Sequence, residues 1–128
     1  MAASLAAANV KKVFSIPGIQ QPLANYKGQS FFAIFEIDLD NSYPDEGYVL
    51  TAGALGVTSL VAAYPLCMGV NVDTDACPMA AIDNGAIAAG TIKILMMGAA
   101  GSATGLTELT AAADLSTKRL ALLVTGIV

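Results

Sequence analysis

The chain has 128 residues, 55% hydrophobic and 12% charged, which is enough apolar side chain for one modest core and too little charge for a disordered segment. A formal charge of −4, with six Lys and Arg spread over the whole length, argues against nucleic acid as a partner, because phosphate neutralisation needs clustered cations. Histidine is absent, which removes the commonest general base and the commonest transition-metal ligand.

In chain order, "MAASLAAANVKK" places its lysines after a weakly hydrophobic body, the reverse of a secretory signal. It reads as an extended arm, residues 1–12, of a single β domain spanning 1–128. Met1, Ala2, Ala3, Leu5 and Val10 are its candidate contacts with a neighbouring subunit, since a small apolar tail gains little by staying in water.

From Phe31 the residues alternate. Phe31, Ala33, Phe35, Ile37 and Leu39 share one face, while Phe32 and Ile34 and then Glu36, Asp38 and Asp40 share the other. That is a strand with one buried face and one that becomes polar toward its end. "NSYPDEG" stops it, with Tyr43, Pro44 and Gly47 as turn residues and Gly47 expected in the left-handed region. "YVLTAGALGV" then predicts a short extended piece, Thr51 as a helix N-cap, one or two helical turns, and Gly56 as the left-handed stop.

Four further apolar stretches, "TSLVAAYPLCMGVNVD", "PMAAIDNG", "GTIKILMMGAA" and "TKRLALLVTGIV", are each bounded by turn residues and read as strands. Pro65 belongs on an edge or at a bulge because it has no N–H to give a central ladder. "DNG" at 83–85 is a turn signal, and "GSATGLTELTAAADLS" reads as a surface loop. Several short strands with regular turns predict an all-β fold: an antiparallel β-sandwich, jelly-roll-like, with one or two short helical turns. Small Ala and Gly side chains make its core thin, so association with copies of itself or with a larger scaffold is expected, a dimer being favoured.

The run Gly47–Val72 carries no charged residue, but repeated Gly, Pro65, Asn71 and acidic flanks disfavour a membrane span. Cys67 and Cys77 are too few for a thiolate zinc site and read as reduced, buried residues; a disulfide would need a hairpin that sets them opposite each other.

The carboxylates of 36–45 raise the question of chemistry. Counted as a calcium loop from Asp38, the sixth position is Tyr43 where glycine is needed and the twelfth is Val49 where a bidentate Glu is needed, so the template fails. A looser site shared with Asp73 and Asp75 is weaker than a solvated strand face. "GAAGSATG" lacks the Lys-Ser/Thr ending of a phosphate loop. Neither a catalytic residue, a cofactor nor a metal is assigned.

Two segments carry a resemblance. "FEIDLDNSYPDEGYVLTAGALGV" resembles the segment of tailed-bacteriophage virion proteins in which a strand runs into a Tyr-Pro/Thr-x-Gly-Gly turn and a Leu-Thr-Ala-x-x-Leu-Gly helical turn. "LTELTAAADLSTKRLALLVTGIV" resembles the closing Glu-Leu, Asp-Leu-Ser, strand and final Gly of the same class, the capsid decoration or cement proteins. Glu46 stands where that pattern has its first Gly, and "CMGVNVDTDACPMAAIDNG" has no counterpart in it. The resemblance implies a non-enzymatic virion protein, assembled in the host cytoplasm, that lies on the capsid exterior and bridges major capsid protein subunits. A virion-borne host- or polysaccharide-binding module, a tail- or spike-associated structural protein, and a small carboxylate enzyme are the alternatives.

Overall fold

A computed structural model describes residues 3–6, 9–70, 79–99, 106–108, 115 and 118–128. The described strands are β1 (Ala3–Ser4), β2 (Val10–Ile16), β3 (Ser30–Asp38), β4 (Tyr48–Thr51), β5 (Ser59–Val70), β6 (Met79–Asp83), β7 (Thr91–Ala99), β8 (Leu106–Glu108) and β9 (Lys118–Ile127). They form two sheets. One has the order β1-β4-β7-β6, with β8 also paired to β7; the other has four strands in the order β2-β3-β9-β5. Every pairing is antiparallel except β1 with β4. The chain is the antiparallel β-sandwich that its alternation predicts.

The period-two pattern of β3 decides where the core lies. Phe31, Ala33, Phe35 and Ile37 are buried and face the interior with Leu120, Leu122 and Val124 of β9. Tyr48 and Leu50 of β4 and Ile92, Ile94 and Met96 of β7 come from the other sheet into the same cluster. Interdigitation of two inner faces is what makes a sandwich stable, since each apolar face alone would stay in water.

The turn chemistry is largely as the residues suggest. Thr51 caps α1 (Ala52–Leu55), its side chain accepting a hydrogen bond from the Ala54 N–H at 3.2 Å, and Gly56 closes the helix at φ 74°. The 83–85 turn is held by the Asp83 carboxylate accepting from the Gly85 N–H at 2.9 Å. Short 3₁₀ turns at Leu23–Tyr26 and Ile87–Ala89 add to the helix. Pro65 satisfies both expectations: β5 is an edge strand, and its register shifts between Pro65 and Cys67.

The N-terminal segment departs from the extended arm. Ala3 and Ser4 pair in parallel with Tyr48 and Val49, the Leu5 N–H donates to the Val49 carbonyl at 2.7 Å, and Leu5 is buried in the core. Val10 opens β2, which pairs with β3 through Ile16. The strand escapes a period-two reading because a bulge between Lys12 and Phe14 interrupts its alternation. Lys12, half-buried, turns its ammonium onto the Ser15 hydroxyl and the carbonyls of Gly18 and Gln21. One cation thus closes the loop that follows the strand, its three donors going to protein oxygens in place of water.

Candidate functional site

The acidic segment folds into a structural knot. Glu36 and Asp38 lie on the solvent side of β3 and pair with Arg119 of β9, at 3.6 Å and 3.0 Å respectively. Asp40 accepts from the Ser42 N–H at 3.1 Å and from the Tyr48 hydroxyl at 2.8 Å, while its main-chain oxygen accepts from the Leu115 N–H at 2.8 Å. The carboxylates of this strand are therefore spent on turn formation and cross-strand pairing. Among the described residues no group of three His, Cys, Asp or Glu could hold a metal ion; Asp73, Asp75 and Cys77 lie outside them, as does the side chain of Cys67.

Tyr43 lies at the centre of the knot. Its ring meets that of Tyr48 edge-on, with centroids 5.5 Å apart. Its hydroxyl donates to Glu108 at 2.7 Å and accepts from the Met96 N–H at 3.1 Å. The second bond has a topological reason. Along one side of β7, β4 pairs with residues up to Ile94 and β8 pairs from Met97 onward, so Met96 falls between the two ladders. The tyrosine oxygen fills that gap. Burial pushes the Tyr43 phenol up to about 12, the Met96 N–H opposing and Glu108 adding to the effect. Burial, and then the bond to Asp40, push the Tyr48 phenol up as well.

The other turn residues have local reasons. Pro44 accepts from the Gly47 N–H at 3.1 Å, and Gly47 takes φ 89° against the backbone of Ile94, where a Cβ would lie 2.7 Å from the carbonyl oxygen. Glu46 shares the positive region at φ 71°. Both positions of the expected Gly-Gly are thus left-handed here, one of them occupied by a residue that resists it. Gly126 of β9 is needed for a different reason, since a Cβ there would come within 2.1 Å of the Ser59 carbonyl oxygen.

Of the candidate interface residues, Met1 and Ala2 lie outside the described residues. Ala3, Leu5 and Val10 belong to the fold of their own chain, in β1, the core and β2, which corrects their reading as an arm for a neighbour. Exposed apolar surface appears instead on the four-stranded sheet. Among the described residues, every exposed large apolar side chain lies in its strands or in the loop after β2. Phe32 on β3, Ile16 on β2 and Tyr64 on β5 are 41%, 57% and 55% exposed. A signal for this face was present: "SFFAIF" and "LALLVTGIV" are apolar at consecutive positions, the pattern of strands covered on both sides.

No helix among the described residues is long and apolar enough to cross a membrane. Comparisons with protein-family models, with curated proteins and with solved structures find no match.

Proposed function

We propose that the chain is a non-enzymatic structural protein of a bacteriophage virion that decorates the outer surface of the capsid and cements neighbouring major capsid protein subunits. The observation that carries this reading is spatial. The two segments with the decoration-protein pattern, 31–57 and 106–128, are remote in sequence but form one unit: β3 and β9 pair along nine consecutive positions, Ser30 to Asp38 against Ile127 to Arg119. The motif residues themselves make the contacts. Tyr43 of the Tyr-Pro turn bonds Glu108 of the Glu-Leu, and Asp40 bonds the main chain of Leu115 in the Asp-Leu-Ser. The two parts of the resemblance therefore meet in one structural unit, as parts of a single motif would.

A ligand that binds only the assembled shell stabilises it by mass action, and repetition on the lattice raises effective concentration for any multivalent unit. Purified protein added to heads that lack it should co-sediment at fixed stoichiometry and raise the temperature at which they release DNA. Failure at saturating concentration to bind or to change heat resistance overturns the reading and favours a tail-associated or host-binding role.

A further inference from the structure

The outer face of the four-stranded sheet exposes apolar side chains at one end and charged ones at the other, while its two edges are guarded. β5 carries Pro65 and bulges after Leu60 and Pro65; β2 carries a bulge after Lys12 and the cation Lys11. Prolines, bulges and lysines are the devices that prevent edge-to-edge strand addition. No comparable device breaks up the centre of the face, so a partner is received there and not along an edge.

We propose that this face is covered by a second copy of the chain, in a two-fold dimer with the four-stranded sheets packed face to face. The register makes the face complementary to itself. A two-fold axis in the interface, parallel to the strands and midway between β3 and β9, lays β3 of one copy over β9 of the other and β2 over β5. The cross-strand row Ile16, Phe32, Thr125, Ala62 then meets its own reverse, so Ile16 covers Ala62 and Phe32 covers Thr125, large over small in each case. In the next row Phe14 covers Tyr64 and Ile34 covers Leu123.

The same operation brings the charged end of the sheet into opposition with itself. Asp38 and Arg119 are register partners on β3 and β9, so Asp38 of each copy is carried over Arg119 of the other, with Glu36 one row away. Ion pairs that lie side by side in the monomer gain a second, reciprocal set across the interface. A partner of one predominant charge would meet both signs here and gain no such match.

The area reaches the lower bound for a specific interface. Four strands about 4.8 Å apart and some eight residues of about 3.4 Å rise give a footprint of about 500 Å² per copy. Two copies bury about 1,000 Å², the size at which a specific interface becomes plausible. The inference does not depend on the capsid reading. If both hold, the dimer presents two capsid-binding surfaces at once, and those surfaces lie elsewhere on the sandwich.

The test is the mass of the full-length protein in solution, by sedimentation equilibrium from about 1 to 100 μM, with Phe32→Lys and Tyr64→Lys made separately so that a folding failure in one leaves the other. Each variant is checked for native circular dichroism and cooperative melting, and Arg119→Glu tests the charged end. A wild-type dimer is expected, with each lysine variant weakening it at least 100-fold, Arg119→Glu weakening it less, and Arg119→Glu with Asp38→Arg recovering part of the loss. Hydroxyl-radical footprinting should show Tyr64 becoming protected as concentration rises. A wild type that stays monomeric throughout, a trimer, or a dimer unaffected by both lysine substitutions overturns the proposal. So does protection of Tyr64 that appears only on capsids, which would make the shell the occupant.

Discussion

Replacing Tyr43 by Phe tests the role of one hydroxyl with almost no change in shape. Two bonds disappear: the 2.7 Å donation to Glu108 and the 3.1 Å acceptance from the Met96 N–H. The two losses differ in kind. Glu108 is exposed and water can replace its donor, so that loss costs little. Met96 is fully buried between the β4 and β8 ladders, and an unsatisfied buried N–H costs about 1–3 kcal/mol. The sum should be about 2–3 kcal/mol, or about 10 °C in Tm for a domain of this size. Urea unfolding at pH 7 measures it directly, and Glu108→Gln alone should cost under about 1 kcal/mol because the amide oxygen of Gln can still accept from the Tyr43 hydroxyl. A Tyr43→Phe loss below about 0.5 kcal/mol would refute the reasoning, since it would mean that the Met96 N–H has another partner. A Glu108 variant as damaging as Tyr43→Phe would instead place the main energy in the carboxylate bond.

Other outcomes follow from the same geometry. Gly47→Ala should cost about 3 kcal/mol, close to the effect of Gly47→Val, because the first added carbon already meets the Ile94 carbonyl oxygen at 2.7 Å in a left-handed conformation; chemical denaturation of the pair decides it. Leu5→Ala should lower stability by about 2 kcal/mol, as for a core leucine, whereas a solvent-exposed arm would show no change in Tm. Stability should fall on the alkaline side. The Tyr43 phenol sits near pKa 12 when folded and 10.0 when unfolded, so its contribution is fully present below about pH 10 and is lost as pH rises toward 12. Denaturation midpoints from pH 8 to 11.5 should drop for wild type and less steeply for Tyr43→Phe; equal slopes would exclude Tyr43 as a source. Excess chelator should leave Tm unchanged, and a fall of several degrees reversed by calcium would show a cation site.

Local chemistry accounts for the features that could be read from the chain directly. The residues of Phe31–Leu39 alternate faces with the period of a strand, Thr51 and Gly56 cap a helix for reasons internal to a few residues, and Pro65 cannot sit in a central ladder in any fold. What the tertiary structure decided are relations between residues remote in sequence. Tyr43 looks like an ordinary turn aromatic until β4 and β8 are seen to leave Met96 uncovered between them. Leu5 is one apolar residue among alanines, and only pairing of β1 with β4 explains its burial. The β2 strand is hidden in the sequence by its bulge, and with it the fact that Phe14 and Ile16 join Phe32, Ile34 and Leu123 on one face. A strand's own pattern reports which of its residues alternate; which strands lie side by side, and so whether scattered apolar residues add up to a surface, is settled by pairing across the sheet.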